Sequence, residues 1–135
     1  MKNLYITWKP DNEVGIPIID EQHRGAVATI NSLFHFMQED KGMDALRPTL
    51  NVLEQYTKIH FETEEAIMIK EGYPDFDAHV LLHRDLVKQM ADVMRRAIAQ
   101  SDPKIVLSFL KDWWMDHINK EDRKYADFMG AGHKN

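Results

Sequence analysis

Apolar side chains recur along most of this chain at spacings of three and four, the period of a helix with one buried face. Ile19, His23, Val27, Ile30, Leu33 or Phe34, and Met37 form a first stripe, with Asp20 expected as its N-cap and Gly42 as its stop. A second begins around Asp44 and runs through Leu46, Leu50, Leu53, Thr57, His60, Glu64 and Ile67 to a stop at Gly72 and Pro74. Pro48 is tolerable there only near the first turn. The third starts at Pro74 or Asp75, aligns Phe76, His79, His83, Leu86, Met90, Val93 and Ala97, and ends between Gln100 and Asp102. The fourth takes Asp102 as N-cap and Pro103 as first helical residue, then places Val106, Leu110, Trp113 and His117 on one face. Lys120 to Met129 reads as its continuation or as a short fifth helix.

Ahead of the first stripe the pattern changes. Pro10, Gly15 and Pro17 interrupt any helix, and the alternation of Val14, Ile16 and Ile18 suits an extended arm lying on a core, with Trp8 packing beside it. Four amphipathic segments joined by links of a few residues make consecutive helices neighbours, so the expected fold is all-α, an antiparallel up-down-up-down four-helix bundle. One domain is expected over 1–135: an N-terminal arm at 1–19, the bundle at 20–129 and a tail at 130–135.

With 135 residues, such a domain buries roughly two-thirds of its unfolded surface and needs no staple, so a monomer is expected. The absence of cysteine excludes disulfides, thiolate metal sites and cysteine nucleophiles, and leaves histidine and carboxylate as the strong metal ligands. A net charge of -5 favours neither nucleic acid nor anionic lipid. No apolar run approaches the ~18 residues of a membrane span, and Trp8, Pro10 and Asp11 stand where a secretion signal needs an apolar stretch. A soluble cytoplasmic protein is therefore expected.

The polar residues on the apolar stripes carry the chemistry. His23, His60, His79, His83 and His117 all fall on the inward face, so all four helices contribute. His79 and His83 are four apart, as are His60 and Glu64, the spacing that lets two side chains on one face meet one ion. A lone buried histidine is commonly a core residue satisfied by a carbonyl or carboxylate. Five imidazoles and a glutamate in one core are another matter, because each unpaired polar atom costs about 1 to 3 kcal/mol, and metal removes that cost. His35 lies about 120° from His23 around its helix, and His133 sits in the tail, so neither joins the cluster. Met37, Met68, Met90, Met94, Met115, Trp113 and Trp114 read as core filler. Asp122 stands in a charged run and five positions after His117, about 140° around an ideal helix, so spacing alone does not select it.

The motifs H-F-E-T-E at 60–64, H-V-L-L-H at 79–83 and H-I-N-K-E-D at 117–122, preceded by His23, resemble the hemerythrin family, and more narrowly its single-domain bacterial members. The resemblance covers nearly the whole chain. It implies a non-haem centre of two iron ions, one held by His79, His83 and His117, the other by His23 and His60, with Glu64 and Asp122 bridging them. It thereby selects Asp122 over Glu121 and implies a distorted turn after His117. Counting a bridging oxo or hydroxo group, these ligands fill all but one of the ~12 positions of two octahedral ions, the open one on the His23 and His60 side. Reversible dioxygen binding is implied, for storage or for delivery to oxygen-consuming enzymes, and the chain is expected to be no enzyme. A di-iron oxidase or peroxidase, and an oxygen or redox sensor read by a partner, are the alternatives. Against the oxidases, no histidine here has glutamate three residues before it, the motif of the ferritin-like di-iron enzymes. Leu50, Phe61, Trp113 and Ile118 are expected to exclude solvent.

Overall fold

A computed structural model describes residues 4–113 and 120–132; within them the chain is helical, without strands. Helices α1 (Pro17–Gln38), α2 (Gly42–Glu71), α3 (Phe76–Gln100) and α4 (Lys104–Trp113) form a four-helix bundle, and α5 (Asp122–Gly132) is the C-terminal extension. The three links between α1 and α4 are each a few residues long, so each helix folds back along its predecessor.

The stops follow from the local chemistry. Gly72 ends α2 in the left-handed region (φ 68°), with the Tyr73 amide returning to the Met68 carbonyl at 3.0 Å. Ser101 takes the same conformation after α3 (φ 51°), and the Asp102 carboxylate accepts from the Lys104 amide at 3.0 Å, capping α4 as expected. At the start of the bundle the expectation differs from the structure. The residue before α1 is Ile16, Pro17 occupies the first turn, and Asp20 lies inside the helix. Its carboxylate turns backwards and accepts from the amides of Val14 (2.7 Å) and Gly15 (3.1 Å), so it ties the arm down instead of capping. Gly42 opens α2 instead of closing α1; Asp40 (φ 58°) makes the left-handed turn. A Cβ on Gly42 would stand 2.7 Å from Met37 Cγ and 3.1 Å from Pro103 Cγ, so glycine is there for close approach. Because α2 starts earlier than expected, Pro48 falls inside the helix, beyond its first turn, and the helix loses one backbone hydrogen bond there.

The arm adds a short 3-10 turn at Pro10–Asn12. Asn31 pairs with Ile6 as a strand would, donating to its carbonyl at 2.8 Å and accepting from its amide at 2.9 Å. Trp8 lies under the Arg24 guanidinium, 5.1 Å from its ring centre, and Ile18, already helical, points outward.

Along α2 the buried stripe runs Leu46, Leu50, Leu53, Thr57, His60, Glu64, Met68; Met68 takes the place expected for Ile67. The polar pair thus lies between a large apolar core containing Val27, Ile30, Leu53, Leu86 and Leu110, and a smaller one of Met68, Tyr73, Tyr125 and Met129. Full burial of one such aliphatic side chain is worth about 1.5 to 3 kcal/mol, so these two layers fix the helices on either side of the polar one.

Candidate metal centre

Each helix of the bundle that is described near this layer sends in a polar group from its apolar stripe. His23 comes from α1, His60 and Glu64 from α2, His79 and His83 from α3, and Asp122 from the first residue of α5; none is more than 5% exposed. Glu64 and Asp122 are fully buried. His117 falls outside the described residues, as do Trp114, Met115 and Ile118. His35 is half-buried near the far end of α1 and joins no metal-sized cluster among the described residues.

The ligand-type atoms fall into two groups, His23, His60, Glu64 and Asp122, and Glu64, His79, His83 and Asp122; within each, they lie within 4.8 Å of one another. Both carboxylates belong to both groups. Glu64 Oε1 lies 3.0 Å from His83 Nε2 and 3.7 Å from His79 Nε2, while its Oε2 lies 3.4 Å from His60 Nε2. Asp122 divides the same way, with Oδ1 3.3 Å from His79 Nε2 and Oδ2 3.0 Å from His23 Nε2 and 3.4 Å from His60 Nε2.

The outer nitrogens explain why the inner ones face inward. His83 Nδ1 donates to Glu65 Oε2 at 2.8 Å, which turns Nε2 inward. His60 Nδ1 donates to Gln22 Oε1 at 2.8 Å. The orientation of Gln22 follows from its neighbour: the Thr63 hydroxyl donates to the Ile59 carbonyl (2.8 Å), so it accepts from Gln22 Nε2 (3.1 Å) and turns the amide oxygen to His60. Apolar rings close the periphery. Phe61 stacks on His83 with centres 3.8 Å apart and planes 4° from parallel, and buried Trp113 stands edge-on to Phe61 at 6.4 Å. Leu50 is buried in the large core. A cleft of about 690 Å³ between α2 and α3 reaches Phe61, Glu65 and His83 from outside, with Val87, Met90 and Met94 along it.

Electrostatics follow from packing basic rings around two acids. Burial alone would lower the pKa of His79, but hydrogen bonding and charge from Asp122 and Glu64 outweigh it and push the ring up to about 9. His60 is raised for the same reason: burial opposes, while Glu64 and Asp122 prevail. The Tyr125 phenol, fully buried beside these carboxylates, is driven far up, by burial first and then by the charges of Glu64 and Asp122.

The donor set fits a metal pair. His60 Nε2 and Glu64 Oε1 are buried without a well-formed hydrogen bond, a cost of about 1 to 3 kcal/mol each that coordination would remove. Imidazole and carboxylate together suit a first-row transition ion. Three contributors were not legible in the sequence. Gln22 and Glu65 are chain neighbours of ligand-type residues and sit off the apolar stripes, and Tyr125 lies three residues after Asp122 in a segment whose charges suggested solvent.

A helical bundle closed around a buried layer of histidines bridged by two shared carboxylates defines a class of metal-binding bundle proteins. Residues 14–129 match the family model described as the hemerythrin HHE cation binding domain. The chain belongs to the hemerythrin family. It is 33% identical over 127 residues to a bacteriohemerythrin of Stenotrophomonas maltophilia, covering 93% of this chain and 82% of that one. It is 28% identical to a hemerythrin of Sipunculus nudus, covering 90% and 92% respectively. A crystal structure of a hemerythrin point mutant superposes with TM-score 0.79 at 28% identity, covering 93% of this chain and 97% of that one.

Proposed function

We propose that the protein binds dioxygen reversibly at a non-haem di-iron centre held by His23, His60, Glu64, His79, His83, His117 and Asp122. The observation that carries this reading is the division of Glu64 and Asp122, each of which turns one oxygen towards His23 or His60 and the other towards His79. Two carboxylates so placed could each serve two ions. Iron bound there supplies the electrons and the open coordination position that dioxygen requires.

The chain's own residues provide the rest. Gln22 and Glu65 fix the tautomers of His60 and His83. Phe61 and Trp113 limit water at the rings, and a carboxylate-poor set would place less negative charge on bound iron than a ferritin-like set, which would disfavour higher oxidation states. The protein therefore acts as a carrier and not as an enzyme. The names of its bacteriohemerythrin and hemerythrin relatives agree with that role. Among the described residues no helix is long and apolar enough to cross a membrane. We place the protein in the cytoplasm as a monomeric single domain, supplying oxygen-consuming enzymes.

The test is an anaerobic oxygen titration. Reduced, colourless, iron-loaded protein should gain a visible charge-transfer band on exposure to oxygen and lose it under argon through several cycles. Immediate irreversible oxidation, with peroxide released or a co-substrate consumed catalytically, would replace the carrier with an oxidase.

A further inference from the structure

We propose that Tyr125 is a positioning residue that holds Glu64 in its bridging orientation and so determines whether a second metal ion binds tightly; the inference rests on the di-iron reading above. Tyr125 is fully buried, and its hydroxyl donates to Glu64 Oε2 at 2.9 Å. Glu64 Oε2 is the oxygen that faces His60, whereas Oε1 faces His79 and His83. A carboxylate free to rotate about its last torsion could turn both oxygens to one ion and chelate it. The phenol engages Oε2 from the side of α5, which opposes rotation of the carboxylate and keeps Oε2 on the His60 side and Oε1 on the other. Bridging is then the orientation built into the metal-free protein.

The position of Tyr125 strengthens the case. It lies one turn after Asp122 on α5, so the helix that supplies one shared carboxylate also anchors the other. Its ring is held edge-on against His79 (5.6 Å) and Tyr73 (6.1 Å), in a small core with Met68 and Met129. That packing holds the ring in place. Replacing Tyr125 by Phe keeps the ring and removes only the donor.

The experiment is an anaerobic ferrous iron titration of the full chain in competition with a chromogenic chelator, for wild type, Tyr125→Phe and Tyr73→Phe. Loss of a hydrogen bond to a ligand typically weakens metal binding 10- to 100-fold. Wild type and Tyr73→Phe should take two irons per chain. Tyr125→Phe should keep the first and bind the second at least ~10-fold more weakly, a widening of the ratio between the two affinities that goes beyond the loss of metal-free stability from one missing buried hydrogen bond. A role in packing alone would lower the metal-free melting temperature but leave the ratio of the two affinities unchanged, which overturns the proposal. Two irons of wild-type affinity in Tyr125→Phe overturn it too, whereas fewer than two in wild type overturn the di-iron reading itself. Should Tyr125→Phe fold poorly, ultraviolet difference spectra decide. Loading the second iron should perturb a tyrosine band in both wild type and Tyr73→Phe, and a flat difference spectrum refutes the contact.

Discussion

Raising the pH should destabilise the protein when its metal is stripped by chelation, and the sign follows from His79. In the folded chain Asp122 and Glu64 lift this ring to about 9, against burial. Unfolded, it titrates near the ordinary value of about 6.5. A raised folded-state pKa contributes stability that is fully present below pH ~6.5 and is lost as the pH climbs through ~9. At about 1.4 kcal/mol per unit the ceiling is about 3 kcal/mol, and solvent screening brings it to about 2. For a chain of this length that is a fall in melting temperature of about 6 to 8 °C. His60 is shifted in the same direction and adds to the fall. Scanning calorimetry of the stripped protein between pH 6 and 9.5 at constant salt measures it, and His79→Gln, which holds no proton, should flatten the curve. Iron-loaded protein should behave oppositely, its extra stability growing with pH, because ligating imidazoles must first lose their protons. A stripped protein whose melting temperature is flat or rises between pH 6.5 and 9 refutes the reasoning, as does a His79→Gln variant that keeps the full fall.

Purified after expression with ample iron, the protein should carry about two irons per chain by elemental analysis; one zinc and no iron would contradict the assignment. His79→Ala should lose iron and its stabilisation on loading, whereas His35→Ala, away from the cluster, should change neither. Glu65→Ala and Gln22→Ala, which leave His83 Nδ1 and His60 Nδ1 without their acceptors, should each weaken iron binding about 10- to 100-fold in chelator competition with little change in fold. Leu53→Ala, fully buried in the large core, should cost about 2 to 5 kcal/mol in urea unfolding while leaving iron stoichiometry intact.

The bundle was legible because period, stops and link lengths agree with one another. From about Asp44 onward α2 reads as one stripe, and Gly72 ends it in the left-handed conformation that glycine adopts without strain. The ends of α1 were harder to read. Asp20 looked like a cap because a carboxylate ahead of an apolar run usually is one, yet Pro17 starts the helix and the carboxylate serves the arm. A sequence pattern records which face of a helix is apolar, and it does not record which neighbouring segment needs two hydrogen-bond acceptors. Gly42 misled for a related reason: glycine marks both a turn and a close approach, and only the packing of Met37 and Pro103 against it distinguishes them.

The site divides along the same line. His23, His60, Glu64, His79 and His83 stand on apolar stripes, so periodicity alone drew them into the interior. Gln22 and Glu65 act from beside the stripe, where a polar residue is the default and carries no signal. Asp122 is the instructive case. Five residues after His117, on an ideal helix, it would point about 140° away, and it sits among charges that normally face water. The structure makes Lys120 and Glu121 π-helical, a local departure from the α-helical period immediately before Asp122. α5 then begins with Asp122 fully buried, its carboxylate among His23, His60 and His79. The Asp122 carboxylate is hydrogen-bonded to His23, and Tyr125, one turn later, donates to Glu64. The residue that the helical period argued against follows a local departure from that period, at the point where the chain brings a second carboxylate to the histidines.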